Sequence, residues 1–295
     1  MAKHIINKSP VLIVGANGTI GHSLVTAFKT AEKTVCLTTH HRGLVNGHRL
    51  FLDLSEDIST WSLPSAQIST AILCAAVTSQ EKCRLEPEYS RRVNVVGTIA
   101  LAKRLVDSGV FVIFFSTNLV FDGKKPFTKA NDPVNPQNNY GRQKAEAEAE
   151  LLKLGNKVSV VRFSKVFSPD MPLSQGWIRD LKAGKEIHPF SDMVMSPIPL
   201  AFAVDVLLKV VGKRISGITQ VSAEKDISYA EAAMRIARRL GLNEELIKPI
   251  SYHKSGIEFA PLHTTLDVSR LQSELGMILP DVYETVTECS NIRLN

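Results

Sequence analysis

The chain has 295 residues, of which 44% are hydrophobic and 22% charged. Those proportions are ordinary for a globular protein; they exclude collagen-like, disordered and disulfide-scaffold classes and leave room for one large α/β domain with a smaller appendage. Lys and Arg number 35 against 29 Asp and Glu, a net charge of +6, and this mild excess is spread along the chain without the basic run of a nucleic-acid or lipid-binding tail, so an anionic small ligand is the better match.

The opening Met1 to Pro10 lacks the apolar segment of a secretory signal and runs directly into a strand. Strands are predicted at Val11–Val14, Val35–Thr38, Arg49–Leu52, Thr70–Cys74, Val110–Phe115 and Val158–Arg162, with a later one at Ile218–Val221. They are near-continuous apolar runs, which suits a parallel sheet covered on both faces. Between them the pattern predicts a helix from Thr19, another over Glu86–Val106 closed by Asp107-Ser108-Gly109, and an Ala/Glu-rich third over Arg142–Leu154 stopped by Gly155. Such alternation predicts a doubly wound parallel sheet. Five prolines between Ser164 and Pro199 predict an irregular stretch with one short helix near Trp177–Ala183, followed by helices Ala201–Val211 and Tyr229–Leu240. The predicted division is a Rossmann domain over 1–163, rejoined by strand 218–221, and a small discontinuous α+β cap over 164–295. No stretch reaches the roughly 18 apolar residues of a membrane span; Ile198–Val211 is interrupted by Asp205. Cys36, Cys74, Cys83 and Cys289 show no paired or metal-ligand spacing, so a soluble, cytoplasmic, reduced protein without a metal is expected.

Pro10 to Gly21 reads as a buried strand, a glycine-rich turn and a helix start. Gly15 permits the tight turn, Gly18 lets backbone approach a pyrophosphate, and Gly21 lets the helix pack against the sheet. Asn17, Thr19 and Ile20 complete a turn whose helix N-terminus offers unpaired N–H groups to phosphate. The second strand ends in Thr38-Thr39-His40-His41-Arg42 with no carboxylate for a ribose 2′-hydroxyl. NADP(H) is therefore expected in preference to NAD(H), with Arg42, and His40 beside it, facing the 2′-phosphate. Asp53, with Leu54 next to it, either hydrogen-bonds the adenine edge or caps a helix. Further on, Tyr140 and Lys144 share one helix face. An ammonium near a phenol is expected to lower its pKa and make it a general acid or base. The preceding Ser116-Thr117-Asn118 places hydroxyls at the carboxyl edge of the sheet, where open α/β folds bind ligands.

These segments, with Cys74-Ala75-Ala76-Val77-Thr78, Glu86-Pro87-Glu88, Val93 to Thr98, Leu119 to Gly123, Pro136 and Pro261 to Asp267, resemble the extended short-chain dehydrogenase/reductases, and within them the dTDP-4-dehydrorhamnose reductase group. The resemblance implies that Thr117 binds the substrate carbonyl, Tyr140 donates the proton and Lys144 holds the nicotinamide ribose while tuning Tyr140. It implies that Ala75, Ala76 and Thr78 line the cofactor, and that the reaction is hydride transfer to the 4-keto carbon of a nucleotide-activated deoxysugar. The loop Gly123–Asn139 corresponds to a substrate-side lid, and the outer faces of helices 86–106 and 142–154 are those through which the superfamily forms homodimers.

Two positions depart from the group: Asn118 stands where Asp is usual after the catalytic Thr, and Ala260-Pro261 where Arg-Pro is common. Alternative readings on the same scaffold are a nucleotide-sugar epimerase or dehydratase, and a non-catalytic subunit resembling the regulatory subunit of methionine adenosyltransferase. Among the remaining residues, Asn94 joins helix turns or serves the site, and His40-His41 reads as a solvated turn, not a metal site. Trp177, Met193 and Met195 pack the cap or line the substrate pocket. Glu146, Glu148 and Glu150 read as a solvated helix face, and Arg162 lies either near the cofactor or at the surface.

Overall fold

The computed structural model describes residues 10–64, 67–257 and 259–288; the predicted features at residues 1–9 and at Cys289 lie outside them. The chain divides into two compact units, one of 1–120, 134–162 and 204–219 and the other of 121–133, 163–203 and 220–295.

The first unit is built on β1 (Val11–Val14), β2 (Val35–Thr39), β3 (Arg49–Phe51), β4 (Thr70–Leu73), β5 (Phe111–Thr117) and β6 (Val158–Phe163). A later strand, Gly217–Val221, joins these in one seven-stranded parallel sheet, next to β6. The spatial order β3-β2-β1-β4-β5-β6 reverses direction between β1 and β4. That reversal is the switch point at which doubly wound sheets open a ligand crevice. Registers such as Ile13 opposite Leu37 and Ile72 fix the neighbours. The helices in the first two segments of this unit are α1 (Thr19–Thr30), α2 (Gln80–Leu85), α3 (Pro87–Arg91), α4 (Thr98–Asp107) and α5 (Asn139–Leu152).

Alternate strand residues explain why both faces need cover. Leu12, Val14, Ala71, Leu73, Val112 and Phe114 are buried with Leu101, Leu105, Ala147 and Leu151 of α4 and α5 in one core. Val11 and Ile13 point the other way and are also fully buried, on the side of β1 and β2 that α1 contacts. Each such side chain contributes about 1.5–3 kcal/mol on burial.

The predicted helix over Glu86–Val106 is not one α-helix. Pro87 starts α3, and a wide π turn over Arg92–Gly97 separates it from α4. β5 runs two residues beyond its predicted end and carries Ser116 and Thr117 inside the strand. The second unit turns the irregular proline-rich stretch into β7 (Lys165–Phe167), α6 (Pro172–Lys182), β8 (Val194–Met195) and β9 (Pro197–Pro199), with β7 paired to β9. There follow α7 (Leu200–Lys213), β10 (Gly217–Val221), β11 (Ile227–Ser228), α8 (Tyr229–Leu240), α9 (Ser269–Leu275) and α10 (Val282–Glu288). Trp177 and Met195 are buried in this unit, and Trp177 stands edge-on to Tyr229, so both pack. Asp226 pins the segment after Pro261 by accepting from Thr264 N at 2.9 Å and Thr264 Oγ1 at 2.6 Å.

Candidate active site

The glycine turn sits at the β1/β4 switch point. Gly15 has φ +84°, and a Cβ there would lie 2.7 Å from Ala75 N, so only glycine fits between the strand ends. Its N–H donates to Thr38 Oγ1 at 3.4 Å, and Asn17 Nδ2 donates to Thr39 Oγ1 at 3.2 Å. Gly21 brings α1 against the Gly15 carbonyl, where a Cβ would overlap it. Gly18 is different: the nearest atom to a Cβ there is 3.6 Å away, so the protein's own packing does not demand glycine. Asn17, Gly18 and Thr19 are exposed, and α1 begins without a capping side chain or an acid in its first turn. An open cradle facing an uncompensated helix N-terminus fits the diphosphate of a dinucleotide, with the N–H groups near Gly18, Thr19 and Ile20 available to it.

Beyond β2, His40 is exposed and its ring lies 3.9 Å from that of His41. Among the described residues, no cluster of His, Cys, Asp or Glu could hold a metal. The Arg42 guanidinium lies over the Phe51 ring at 4.0 Å and 3.8 Å from Glu56 Oε1. Asp53 does not cap a helix: its Oδ1 accepts from Ser55 N at 2.9 Å and Ser55 Oγ at 2.7 Å, while Asp57 caps the following turn. Leu54 turns its side chain into the core.

After β4, Ala75 N donates to Val14 O at 3.0 Å, and Ala75 and Ala76 are half-buried with Thr78 exposed beyond them. Asn94 brackets this segment. Its Oδ1 accepts from Val77 N at 2.8 Å, and its Nδ2 donates to Val77 O at 3.0 Å and to Gln143 Oε1 at 2.8 Å. Gln143 in turn donates to Ser90 Oγ at 2.8 Å. Of the two expectations for Asn94, the joining role is the one these bonds describe.

Helix α5 starts three residues earlier than predicted because Asn138 caps it, accepting from Gly141 N at 2.7 Å. Tyr140 therefore lies in the first turn and Lys144 in the next. The Lys144 ammonium donates to Phe115 O at 2.8 Å, lies 4.5 Å from the Phe114 ring centre and 5.9 Å from that of Tyr140. Thr117 ends β5, buried, with its Oγ1 accepting from Leu119 N at 3.2 Å.

Charge in this cluster differs from the sequence expectation. Burial lowers the Lys144 pKa to about 8, opposed by Glu148. Burial also pushes the Tyr140 phenol up, reinforced by Cys83. The ammonium donates to the Phe115 carbonyl, and loss of water is the dominant influence on the phenol.

Two other expectations are corrected. Glu148 is not part of a solvated face, and Arg162 is not at the surface: both are 2% exposed. They form a bidentate pair, with Arg162 Nη2 2.6 Å from Glu148 Oε2. Glu146, by contrast, is exposed and pairs with Arg91. Sequence reasoning also missed Thr38, Thr39 and Gln143; hydroxyls at the end of a buried strand and an amide beside Lys144 were the available signals.

A dinucleotide turn at the switch point of a doubly wound sheet, with α5 presenting Tyr140 and Lys144 beside the end of β5, is the arrangement of the extended short-chain dehydrogenase/reductases, a class of NAD(P)-dependent oxidoreductases. This agrees with the resemblance noted in the sequence. The chain belongs to the RmlD substrate binding domain family, whose pattern covers residues 9–293. It is similar to the probable low-salt glycan biosynthesis reductase Agl14 of Haloferax volcanii, 24% identical over 287 residues that span 91% of this chain and 93% of that protein. It is also similar to methionine adenosyltransferase 2 subunit beta of Xenopus tropicalis, 25% identical over 272 residues, 88% of this chain and 81% of the other. Among solved structures, dTDP-4-dehydrorhamnose reductase from Bacillus anthracis, in complex with NADP, shares the fold with a TM-score of 0.83 and 22% identity, covering 95% of this chain and 97% of that one. No helix among the described residues is long and apolar enough to cross a membrane.

Proposed function

We propose that the protein is an NADPH-dependent reductase of a nucleotide-activated 4-keto-6-deoxysugar. The observation that carries this reading is the placement of Lys144, a buried ammonium fixed to the Phe115 carbonyl one helical turn from Tyr140 and close to the end of β5. The turn Gly15 to Gly21 binds the diphosphate, and Arg42 with His40 receives the 2′-phosphate, since β2 ends without a carboxylate. Ala75, Ala76 and Thr78 line the cofactor, with Asp53 and Leu54 on its adenine side. When bound, the reduced nicotinamide supplies a hydride to the keto carbon.

The protein's own groups supply the proton and its control. Thr117 orients the carbonyl oxygen by a hydrogen bond. Tyr140 gives that oxygen its proton. A reduction needs the acid loaded beforehand, and burial of Tyr140 favours the protonated phenol. As the proton leaves, Lys144 stabilises the phenolate and binds the nicotinamide ribose. Residues 164–295 recognise the sugar nucleotide. The three thiols Cys36, Cys74 and Cys83 are free, in keeping with a reducing, cytoplasmic setting; the superfamily habit of pairing suggests a homodimer.

The test follows NADPH absorbance against a panel of nucleotide-linked 4-keto-6-deoxysugars, with NADH and Tyr140→Phe alongside. Turnover with NADPH that disappears in Tyr140→Phe is expected. Wild-type turnover in that variant removes Tyr140 from the mechanism. NADPH binding without turnover on any sugar would instead favour a regulatory subunit, a reading to which the similarity to methionine adenosyltransferase 2 subunit beta gives weight. Purified protein that retains its nicotinamide between turnovers would favour an epimerase or dehydratase.

A further inference from the structure

Glu148 and Arg162 take no part in the reaction just described, yet they form a pair of opposite charges that is almost wholly buried. The Arg162 Nε lies 3.0 Å from Glu148 Oε1 and 3.1 Å from Oε2, and Nη2 lies 2.6 Å from Oε2. Stability alone does not account for such a pair, because well-packed apolar residues of similar volume serve as well or better. Its position suggests another task. Glu148 is one helical turn beyond Lys144 on α5, on the same face. Lys144 is itself 3% exposed and donates to one neutral carbonyl, that of Phe115.

The acidic groups facing Lys144 come from three elements: Glu148 and Tyr140 on α5, Cys74 just after β4 and Cys83 on α2. Burial pushes both thiols and the phenol up, towards their neutral forms. The carboxylate of Glu148, held by Arg162 on β6, is left as the negative charge that opposes desolvation of the ammonium.

We propose that Arg162 and Glu148 are positioning residues for Lys144: the two-point grip of the guanidinium fixes where the carboxylate sits, and that carboxylate, one helical turn along the same buried face, supports the Lys144 ammonium inside the protein. The consequence for turnover rests on the functional reading above. The charge state of Lys144 does not, and it is measured on the full chain without cofactor or substrate.

In protein labelled with carbon-13 at lysine Cε, the Lys144 resonance is assigned by its loss in Lys144→Arg and titrated against pH. The wild-type midpoint is expected near the value of about 8 that burial and Glu148 together set. In Glu148→Gln/Arg162→Met, which removes both charges and leaves neither buried alone, the midpoint is expected to fall by about one unit or more, roughly a tenfold loss of ammonium on the basic side. Glu148→Asp, which restores a carboxylate opposite Arg162, is expected to bring it back. If Glu148→Gln alone fails to fold, the double variant still decides. A folded double variant with an unmoved Lys144 midpoint overturns the proposal. So does a loss of kcat/KM that is equal at every pH, because lost support must move the basic limb of the profile downward. If the midpoint moves while the wild type reduces no keto-sugar, the functional reading fails and the electrostatic support stands.

Discussion

Substituting Gly141 by Ala probes how tightly the acid is placed. A Cβ at this position would overlap the Leu119 carbonyl oxygen, and would lie 3.0 Å from the Leu119 carbonyl carbon and 3.1 Å from Pro136 Cβ. Carbon–carbon contacts settle at about 3.5–4.0 Å, so these approaches require at least about half an ångström of separation, and the overlapping oxygen takes it to about 1 Å. The backbone at Gly141 does not have positive φ, so the cost arises from packing and not from strain in the chain. The turn that must yield is Asn118–Val120, immediately after Thr117, and the helix that must yield carries Tyr140. A misplacement of about 1 Å costs on the order of 100-fold in rate. Overpacking costs about 1–3 kcal/mol, partly offset by the better helix propensity of Ala, about 1 kcal/mol. Steady-state kinetics and thermal unfolding of Gly141→Ala are therefore expected to show a large fall in kcat with a modest fall in stability. Gly109→Ala is the control. Its φ is +83° and nothing lies within 4 Å of a Cβ, so it should lose about 1–2 kcal/mol of stability and no kcat. A stable Gly141→Ala enzyme with wild-type kcat would refute the claim that this contact sets the distance between Thr117 and Tyr140.

Other substitutions test neighbouring parts of the argument. Arg42→Ala should weaken NADPH binding about tenfold or more while leaving NADH nearly unchanged, read by cofactor titration, since a charge-assisted bond contributes about 1.5–3 kcal/mol; an equal loss for both cofactors would take Arg42 away from the 2′-phosphate. Lys144→Met should abolish turnover yet raise stability near neutral pH, because the folded protein holds this amine at about 8 against 10.5 when unfolded, a cost of about 3 kcal/mol. The sign follows from proton uptake: between pH 8 and 10.5 the unfolded chain binds more protons, so wild-type stability relative to Lys144→Met should climb across that window. Chemical denaturation across that range shows it, and a flat difference would contradict the buried-ammonium description. Asn94→Ala strips Val77 N of its acceptor and Gln143 Oε1 of its donor, while Val77 O keeps the Cys83 thiol, and should cost about 1–3 kcal/mol for each buried group left unpaired, measured by urea unfolding.

Much of this molecule was readable from its letters, for identifiable reasons. All seven sheet strands begin within one residue of the runs that predict them because a strand covered on both faces cannot alternate, as Val11 to Val14 illustrate. The glycine turn was legible because Gly15 and Gly21 answer to backbone geometry, which leaves its trace in residue type. Glu148 was not. Its neighbours Glu146 and Glu150 suggested water on every side, and what buries it is Arg162 on a strand 14 residues away. The signal was Arg162 itself, a cation in the apolar run Val158–Phe163, which buried surroundings tolerate only when it is paired. The direction of the Tyr140 pKa was likewise not legible from spacing, since a shared helix face does not show how completely burial strips the phenol of water.

The wide turn at Arg92–Gly97 has a further consequence. A π turn accommodates one residue more than α-geometry, so the helices on its two sides are out of phase by about 100°. On the near side Ser90 meets Gln143, and in the turn itself Asn94 reaches both Val77 and Gln143. On the far side Leu101 and Leu105 enter the core. Deleting one residue between 92 and 97 would give a smoother rod, but one half would then carry its inward-facing side chains to the outside. A stretch of chain that reads as a single helix works as two, geared one residue apart, so that the same rod can clamp the site at one end and fill the interior at the other.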